Sequence, residues 1–174
     1  MKTLILYLTQ DGQTRKIAEK MAQIIGNTTL ISLREQPDLP EAHLSQFDQI
    51  IIGASIRYGH FDPILERFIQ QHYALLNAKR SAFFSVNLTA RKANRNTPQT
   101  NTYTRKLLER IAWQPTFVEV FAGALLYPRY RWFDRMMIRF IMKITQGETD
   151  TRREYEYTDW QQVAQFAEKL RKVA

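Results

Sequence analysis

The sequence predicts an α/β fold, a doubly wound five-stranded parallel sheet, within a single domain that spans residues 1–174. Short apolar runs alternate with amphipathic segments along the chain, which is the order in which strands and crossover helices build a parallel sheet. The length of 174 residues suits one domain with one core. A content of 44% hydrophobic and 24% charged residues is typical of a globular protein rather than a disordered one.

Five apolar runs are predicted as the strands. Several are apolar at every position, as expected of strands that are covered by helices on both faces. The runs are residues 3–8, 28–33, 49–56, 81–88 and 116–127. A long basic insertion, residues 127–157, separates the fifth run from the last helix. Connections in such folds typically have ~2–6 residues, and longer ones tend to be functional.

Amphipathic segments between these runs are predicted as the helices, and their start signals are visible in the sequence. Residues 14–25 carry an apolar stripe at helical spacing. Asp62 as N-cap and Pro63 as the first helical residue begin a helix after the third run. The same pattern begins a helix at Thr97 and Pro98. A capping-box pattern at Thr158 and Gln161 precedes the last helix.

Charge and composition narrow the range of functions. The net charge of +8 indicates an anionic partner, and much of the excess lies in residues 91–110 and 127–143. The absence of cysteine excludes disulfides, thiolate metal sites and cysteine nucleophiles, and fits a cytoplasmic protein, as does the lack of a signal-peptide pattern. The three histidines have no metal-ligand spacing, so no metal site is predicted.

Three polar loops follow the first, third and fourth runs, and in a parallel sheet they meet at the carboxyl edge where ligands bind. They are residues 9–15, 53–60 and 85–92. Gly12 lets the first loop turn tightly at the start of a helix, where free N–H groups and the positive end of the helix dipole favour a phosphate. No dinucleotide fingerprint or nucleophile elbow is present.

The motif T-x-D-G-x-T at residues 9–14 resembles the phosphate-binding loop of the flavodoxin family. The resemblance implies a flavodoxin-like sheet in the order 2-1-3-4-5 and a bound FMN. It also implies the cofactor-binding residues, which are Thr9, Gln10, Asp11, Gly12, Gln13, Thr14, Ser55, Ile56, Arg57, Tyr58, Gly59, Ser85, Val86, Asn87, Leu88, Thr89 and Ala90. Flavodoxins are acidic, whereas this chain is basic. Flavodoxins also stack the flavin between aromatic residues, whereas Tyr58 is the one obvious aromatic candidate in these loops. One face of the flavin is therefore expected to be open to a substrate.

A second resemblance covers nearly the whole chain. The blocks GASIRYGH, SVNLTARK, TPQTN, AGALLYPRYRWFDRMMIRFIMK, GETDTR and YTDW are similar to the quinone-dependent protoporphyrinogen IX dehydrogenases of bacterial haem biosynthesis. This resemblance implies FMN-dependent oxidation of protoporphyrinogen IX to protoporphyrin IX, with electrons passed to menaquinone or ubiquinone. It also implies a peripheral protein at the cytoplasmic face of the inner membrane.

The substrate implied by this resemblance is an apolar macrocycle with two propionates, which arginine can bind through its planar fork. Four arginines lie in or beside the loops and the insertion: Arg57, Arg91, Arg129 and Arg131. Arg57 and Arg131 are the favoured anchors. Tyr58 and His60 are candidates for a catalytic base.

The stretch 127–144 has the pattern of a basic amphipathic helix that lies on a membrane surface. Its basic stripe recurs every fourth position at Arg131, Arg135, Arg139 and Lys143. Its apolar arc consists of Trp132, Phe133, Met136, Met137, Phe140, Ile141 and Ile144. At the level of the sequence the arc has three alternative partners: lipid, the protein's own sheet and flavin pocket, or a second subunit in a homo-oligomer.

Two other functions are compatible with parts of the sequence. A flavodoxin-like NAD(P)H:quinone reductase or electron carrier would share the FMN loops but gives no reason for the arginine-rich insertion. A nucleic-acid-binding domain would account for the charge and for the Arg/Tyr/Trp pattern at residues 127–135. No groove-reading or RNA-binding motif supports it, so no nucleic-acid partner is predicted.

Overall fold

Eight strands and six helices alternate along residues 1–173, the part of the chain that the computed structural model describes. The strands are β1 (Thr3–Leu8), β2 (Thr28–Ser32), β3 (Gln49–Arg57), β4 (His60–Phe61), β5 (Arg80–Asn87), β6 (Phe117–Ala122), β7 (Ala124–Leu126) and β8 (Glu154–Glu156). The helices are α1 (Gln13–Ile25), α2 (Glu41–Leu44), α3 (Pro63–Ala78), α4 (Thr102–Arg110), α5 (Trp132–Ile144) and α6 (Trp160–Lys172). Short 3-10 turns cover Leu88–Arg91, Ala93–Arg95 and Tyr127–Arg129.

The central sheet has the strand order β2-β1-β3-β5-β6, and all four of these pairings are parallel. Because β5 and β6 are the fourth and fifth parallel strands, this order confirms the predicted 2-1-3-4-5 arrangement. The short strand β4 folds back on the end of β3 as an antiparallel pair. The registers align Leu8 with Ala54 and Ala54 with Ser85, so the loops after β1, β3 and β5 leave the sheet at the same edge.

Alternation along the strands divides the core into two layers. Leu4, Leu6 and Phe83 face the layer that contains α3. Ile5 and Phe84 face the layer that contains α1 and α6. At Gly53 on β3, an added Cβ would lie 2.0 Å from the Phe84 ring, so only glycine leaves room for that ring. The two layers bury the apolar faces of the crossover helices.

The helix starts agree with the sequence at α3 and differ at α4. Asp62 caps α3, since its carboxylate accepts a hydrogen bond from the Ile64 N–H at 3.0 Å. The prediction that the next helix begins at Pro98 is wrong, because α4 begins at Thr102. Its N-cap is Asn101, whose side-chain oxygen accepts from the backbone of the first turn.

Thr158 is not the cap of α6, contrary to the capping-box prediction. Asp159 holds that role and accepts from the N–H groups of Gln161 and Gln162. The Thr158 side chain is buried, and its hydroxyl donates to the Ala122 carbonyl at 2.7 Å. This hydrogen bond to Ala122 therefore keeps Thr158 from capping α6.

The predicted fifth strand, residues 116–127, divides at Gly123 into β6 and β7. Strand β7 leaves the parallel sheet and pairs antiparallel with β8 at the far end of the insertion. The Tyr157 N–H donates to the Gly123 carbonyl at 3.0 Å and closes this pair against the main sheet. The insertion has a small core of its own, which consists of Leu125, Leu126, Tyr127, Tyr130, Ile138 and Met142.

Candidate functional site

A cavity of about 480 Å³ lies at the carboxyl edge of the sheet, beneath helix α5. Its walls come from the loop after β1, the β3–β4 turn, the loop after β5 and the insertion. Of the residues predicted to bind the cofactor, all except Gly12, Ser85 and Ala90 line this cavity. The structure therefore brings the three predicted loops together around one space.

The loop after β1 presents unpaired donors to the cavity. Gly12 has a φ of 92°, a left-handed conformation that favours glycine, and its N–H donates to the Thr9 hydroxyl at 2.9 Å. The N–H groups of the first turn of α1 have no intrahelical acceptor. The Thr14 hydroxyl lies in the cavity wall, fully buried and without a hydrogen-bond partner among residues 1–173. Leaving it unpaired costs about 1–3 kcal/mol, which a ligand oxygen would recover.

Gln13 joins this loop to the end of the insertion. Its side-chain amide donates to the Glu156 carboxylate at 2.8 Å and to the Thr158 hydroxyl at 2.9 Å. The hydrogen bond from Gln13 is the main reason that the pKa of Glu156 is lowered, and a second one from Trp160 adds to it. Strand β8 is thereby tied to the N-terminus of α1.

The β3–β4 turn places Tyr58 at the cavity wall. Tyr58 and Gly59 have φ values of 50° and 79°, and two successive left-handed residues are typical of a tight hairpin turn. The left-handed conformation is costly for a tyrosine, which indicates that the surroundings hold it there. The Tyr58 hydroxyl donates to the Asp134 carboxylate on α5, so the turn is fastened to the insertion helix.

Arg57 is the centre of a charged cluster beside this turn. Its guanidinium donates to the Asp11 carboxylate at 2.7 Å and lies 3.7 Å from the Asp134 carboxylate. The same group lies 5.0 Å from the centre of the Tyr130 ring and 5.4 Å from that of Tyr58, within cation–π range. Arg57 is thus already engaged by acidic and aromatic groups from three parts of the chain.

The pKa values of this cluster keep its groups in their ordinary charge states near neutral pH. Burial alone would lower the pKa of Arg57, but the charge and hydrogen bond of Asp11 outweigh it and raise that pKa. Burial, and then the bond to Asp134, raise the pKa of the Tyr58 phenol. Burial raises the pKa of Tyr130 to about 12. The phenols therefore stay protonated and the guanidinium stays charged.

The loop after β5 is held by a buried polar network. The Asn87 side-chain oxygen accepts from the Ala90 N–H at 3.0 Å and from the Asn101 amide at 3.1 Å. The Ser85 and Thr104 hydroxyls are 2.7 Å apart. Ser85 and Ala90 therefore hold the loop in place, while their neighbours face the cavity.

Helix α5 forms the roof of the cavity. None of the residues predicted to bind the cofactor lies on this helix. The roof consists of Met137, Ile138, Ile141, Met142 and Thr145. Their spacing of three and four residues is a visible helical signal, although the sequence does not show which surface the helix covers. Tyr103, Gly123, Ala124 and Tyr130 also line the cavity, and no local motif points to them.

Arg91 fastens the end of this roof to the loop after β5. Its guanidinium donates to the Leu88 carbonyl at 2.8 Å, and to both the carbonyl and the hydroxyl of Thr145 at 3.1 Å. Arg91 lines the cavity. All three acceptors are uncharged.

Two of the predicted catalytic candidates lie outside the cavity wall. His60 is exposed on β4, and Arg131 is exposed at the N-cap of α5. Arg129 pairs with Glu154 at 2.6 Å on the surface of the insertion. Within residues 1–173, no group of three or more histidine or acidic side chains could hold a metal ion.

The outer face of α5 exposes large apolar side chains. Trp132 is 74% exposed, Phe133 and Ile144 are each 66% exposed, and Phe140 is 59% exposed. Arg139 and Lys143 are also exposed and flank these residues on the helix. Across the described chain, residues 1–173, no helix has the length and apolar character needed to cross a membrane.

Comparisons with known proteins agree with this geometry. The flavodoxin domain family matches residues 4–152. A protoporphyrinogen IX dehydrogenase [quinone] from Escherichia coli strain K12 is 51% identical over 98% of this chain and 94% of its own length. A protein of the same name from Leishmania major is 48% identical over 95% of this chain and 73% of its own length.

Solved flavodoxin structures share the fold at low identity. A flavodoxin from the domain Archaea has a TM-score of 0.56 and 14% identity over 99% of this chain and 98% of its own. Oxidised flavodoxin 2 from Bacillus cereus has a TM-score of 0.56 and 18% identity over the full length of both chains. These likenesses support the fold class.

Proposed function

This chain belongs to the flavodoxin domain family and, within it, to the quinone-dependent protoporphyrinogen IX dehydrogenases, and we propose that it carries out the reaction that their name states. It oxidises protoporphyrinogen IX to protoporphyrin IX, with FMN as cofactor and with menaquinone or ubiquinone as electron acceptor. The observation that carries the proposal is the 51% identity with the Escherichia coli enzyme along 98% of this chain.

The cavity residues fit an FMN. The loop Thr9–Thr14 offers the buried, unpartnered Thr14 hydroxyl and the free N–H groups of α1 to a phosphate. The β3–β4 turn and the loop after β5 form the adjoining walls, where a planar ring would lie against Tyr58. Arg57 compensates the charge of Asp11, which would otherwise repel a phosphate at this loop.

The chain's own residues have three tasks in this reaction. The loops would hold and orient FMN, which would supply the two-electron redox chemistry between the substrate and the quinone. The apolar roof of α5, including Ile138 and Met142, keeps water from the reacting atoms. The Arg57–Asp11–Asp134 cluster fixes the turn that carries Tyr58.

The outer face of α5 docks on an anionic lipid surface, which places the protein at the cytoplasmic face of the inner membrane. Charge complementarity supports this partner, because exposed Arg139 and Lys143 lie beside the apolar face. Each basic residue near such a surface contributes about 1 kcal/mol, so burial of the aromatic side chains supplies the rest of the affinity. Substrate and quinone are both poorly soluble in water, which makes docking useful.

An anaerobic mixing experiment tests the proposed reaction. FMN-loaded protein is mixed with protoporphyrinogen IX while the absorbance of oxidised flavin is followed, and a quinone is then added. We expect bleaching by the porphyrinogen and recovery on adding quinone. Bleaching by NAD(P)H but not by the porphyrinogen would instead favour an NAD(P)H:quinone reductase. Failure to bind FMN would contradict the cofactor assignment.

A further inference from the structure

The cavity contains one positive charge that the protein itself does not neutralise. The charged side chains in its wall are Asp11, Arg57 and Arg91. Arg57 pairs with Asp11 and also lies near Asp134. Arg91 has no acidic partner within residues 1–173, and its three hydrogen bonds go to neutral oxygens.

An arginine held in this way is suited to bind an anion. Half-buried charges are usually paired, and an unpaired one is stabilised when a ligand supplies the opposite charge. A guanidinium has five N–H groups, and three hydrogen bonds leave some of them free. Leu88 and Thr145 hold the group from two sides, so little side-chain entropy is lost when a ligand binds.

Topology separates Arg91 from the phosphate-binding loop. Arg91 follows β5, whereas the loop Thr9–Thr14 follows β1, and β3 lies between these strands. Two strand spacings correspond to ~10 Å, which exceeds the reach of one hydrogen bond. The guanidinium is also fixed beneath the C-terminal end of α5, at Thr145. A phosphate held at α1 therefore leaves Arg91 without an anion.

We propose that Arg91 binds a carboxylate of the macrocyclic substrate and so favours porphyrinogens that carry a free carboxylate. This inference rests on the proposed function and identifies a specificity residue for it. It differs from the sequence-based choice of Arg57 and Arg131, because Arg57 is already paired and Arg131 lies outside the cavity. Met142 and Ile138, which line the same cavity as Arg91, offer the apolar surface that the rest of the ring requires.

The test compares two porphyrins that differ only in their carboxylates. FMN-loaded protein in a non-ionic detergent is titrated with protoporphyrin IX and with its dimethyl ester, with fluorescence quenching as the readout. We expect the wild type to prefer the free acid by about 10- to 100-fold, the range for hydrogen bonds to a charged group. Arg91→Gln should abolish that preference by weakening free-acid binding alone, and Arg91→Lys should retain part of it.

Arg95→Gln is the matched control, because Arg95 is an exposed arginine on the next turn of the same loop. It should leave the preference for the free acid unchanged. FMN affinity and the thermal midpoint of each variant show whether the site is intact, and Arg91→Lys keeps the charge if Arg91→Gln perturbs the roof.

Several results would overturn the inference. An unchanged affinity for the free acid in Arg91→Gln would exclude a carboxylate role, as would an equal loss of affinity for both porphyrins, which indicates a purely structural effect. Loss of FMN affinity with an unchanged preference would assign the anion to the cofactor. If the wild type bound neither porphyrin and its flavin were not bleached by protoporphyrinogen IX, the proposed function would fail together with this inference, whereas the first three results leave the function intact.

Discussion

Helices α1 and α5 each have 13 residues and an amphipathic pattern, yet they use their apolar residues in opposite ways. Helix α1 turns its apolar side chains, including Ile17 and Met21, into the core beneath the sheet. Helix α5 buries only Ile138 and Met142 and leaves seven large apolar side chains exposed. Two helices with similar patterns therefore differ in function: one stabilises the sheet, and the other roofs the cavity and faces outward.

The largest expected effect is on the free energy of unfolding, and it tests the contrast between α1 and α5. Ile17→Ala in α1 should lower the free energy of unfolding by about 2–5 kcal/mol, because Ile17 is fully buried. Phe140→Ala in α5 should change it by less than ~0.5 kcal/mol, because Phe140 is exposed. Urea unfolding of the two variants measures both values. If Phe140→Ala instead lost much of its free energy of unfolding, and the loss depended on protein concentration, a second subunit would be shown to cover this face.

The next effect concerns what the outer face of α5 binds. Phe140→Ala should weaken binding to anionic vesicles by ~1.5–3 kcal/mol, the contribution of one buried aromatic side chain. Tyr73→Ala is the matched control, since Tyr73 is an exposed aromatic residue on α3. Co-sedimentation with vesicles measures the partition. Equal binding by both variants would contradict lipid docking through α5.

A smaller effect separates charge from apolar contact on the same helix. Arg139→Gln should reduce binding to anionic vesicles by about 1 kcal/mol, roughly fivefold. The reduction should disappear at high salt or with zwitterionic lipid, because screening removes the attraction. Lys20→Gln serves as the control, since Lys20 is an exposed lysine on α1 and not on α5. A reduction of similar size in Lys20→Gln would point to a diffuse charge effect.

The smallest effect tests the link between α1 and the return strand of the insertion. The pKa of Glu156 is lowered from 4.5 chiefly by the hydrogen bond from Gln13, so this stabilisation is present above that value and is lost as pH falls through the lowered one. In the FMN-free protein, Gln13→Met should reduce the acid-dependent loss of stability by less than ~1 kcal/mol, because Glu156 is exposed. Urea unfolding at neutral pH and about pH 3 measures the difference. An unchanged pH dependence would show that this link has no energetic effect.

Local patterns were sufficient to predict most of the sheet. The five parallel strands are confirmed, as is the cap at Asp62. These features depend on hydrophobic runs and on a cap within one turn of its helix, so neighbouring residues determine them. The strand order is also confirmed, but it was implied by the resemblance to flavodoxins and not by local patterns. Features that depend on distant partners were not predicted. Asn101, the cap of α4, donates to the Asn87 side-chain oxygen, and the Thr158 hydroxyl donates to the Ala122 carbonyl.

The candidate site shows the same division. Loops directly after predicted strands were located correctly at the cavity, because strand ends determine their position. The pairing of Arg57 with Asp11 and Asp134 was not predicted, since it joins residues from three separate segments. The roof of α5 was visible as a helix, but its orientation depends on Arg91, Thr145 and the β7–β8 pair. The FMN-binding roles of the predicted residues stay predictions until binding is measured.

The antiparallel pairing of β7 with β8 also has a consequence for how this architecture can vary. Leu126 lies directly opposite Glu154, so the chain leaves and returns at neighbouring positions ~5 Å apart. Such a junction is equivalent to the base of a hairpin, and a two-residue turn can close it in place of the whole segment. The segment is therefore a module: it can be lengthened, shortened or exchanged during evolution or in engineering while the registers of the parallel sheet stay as they are.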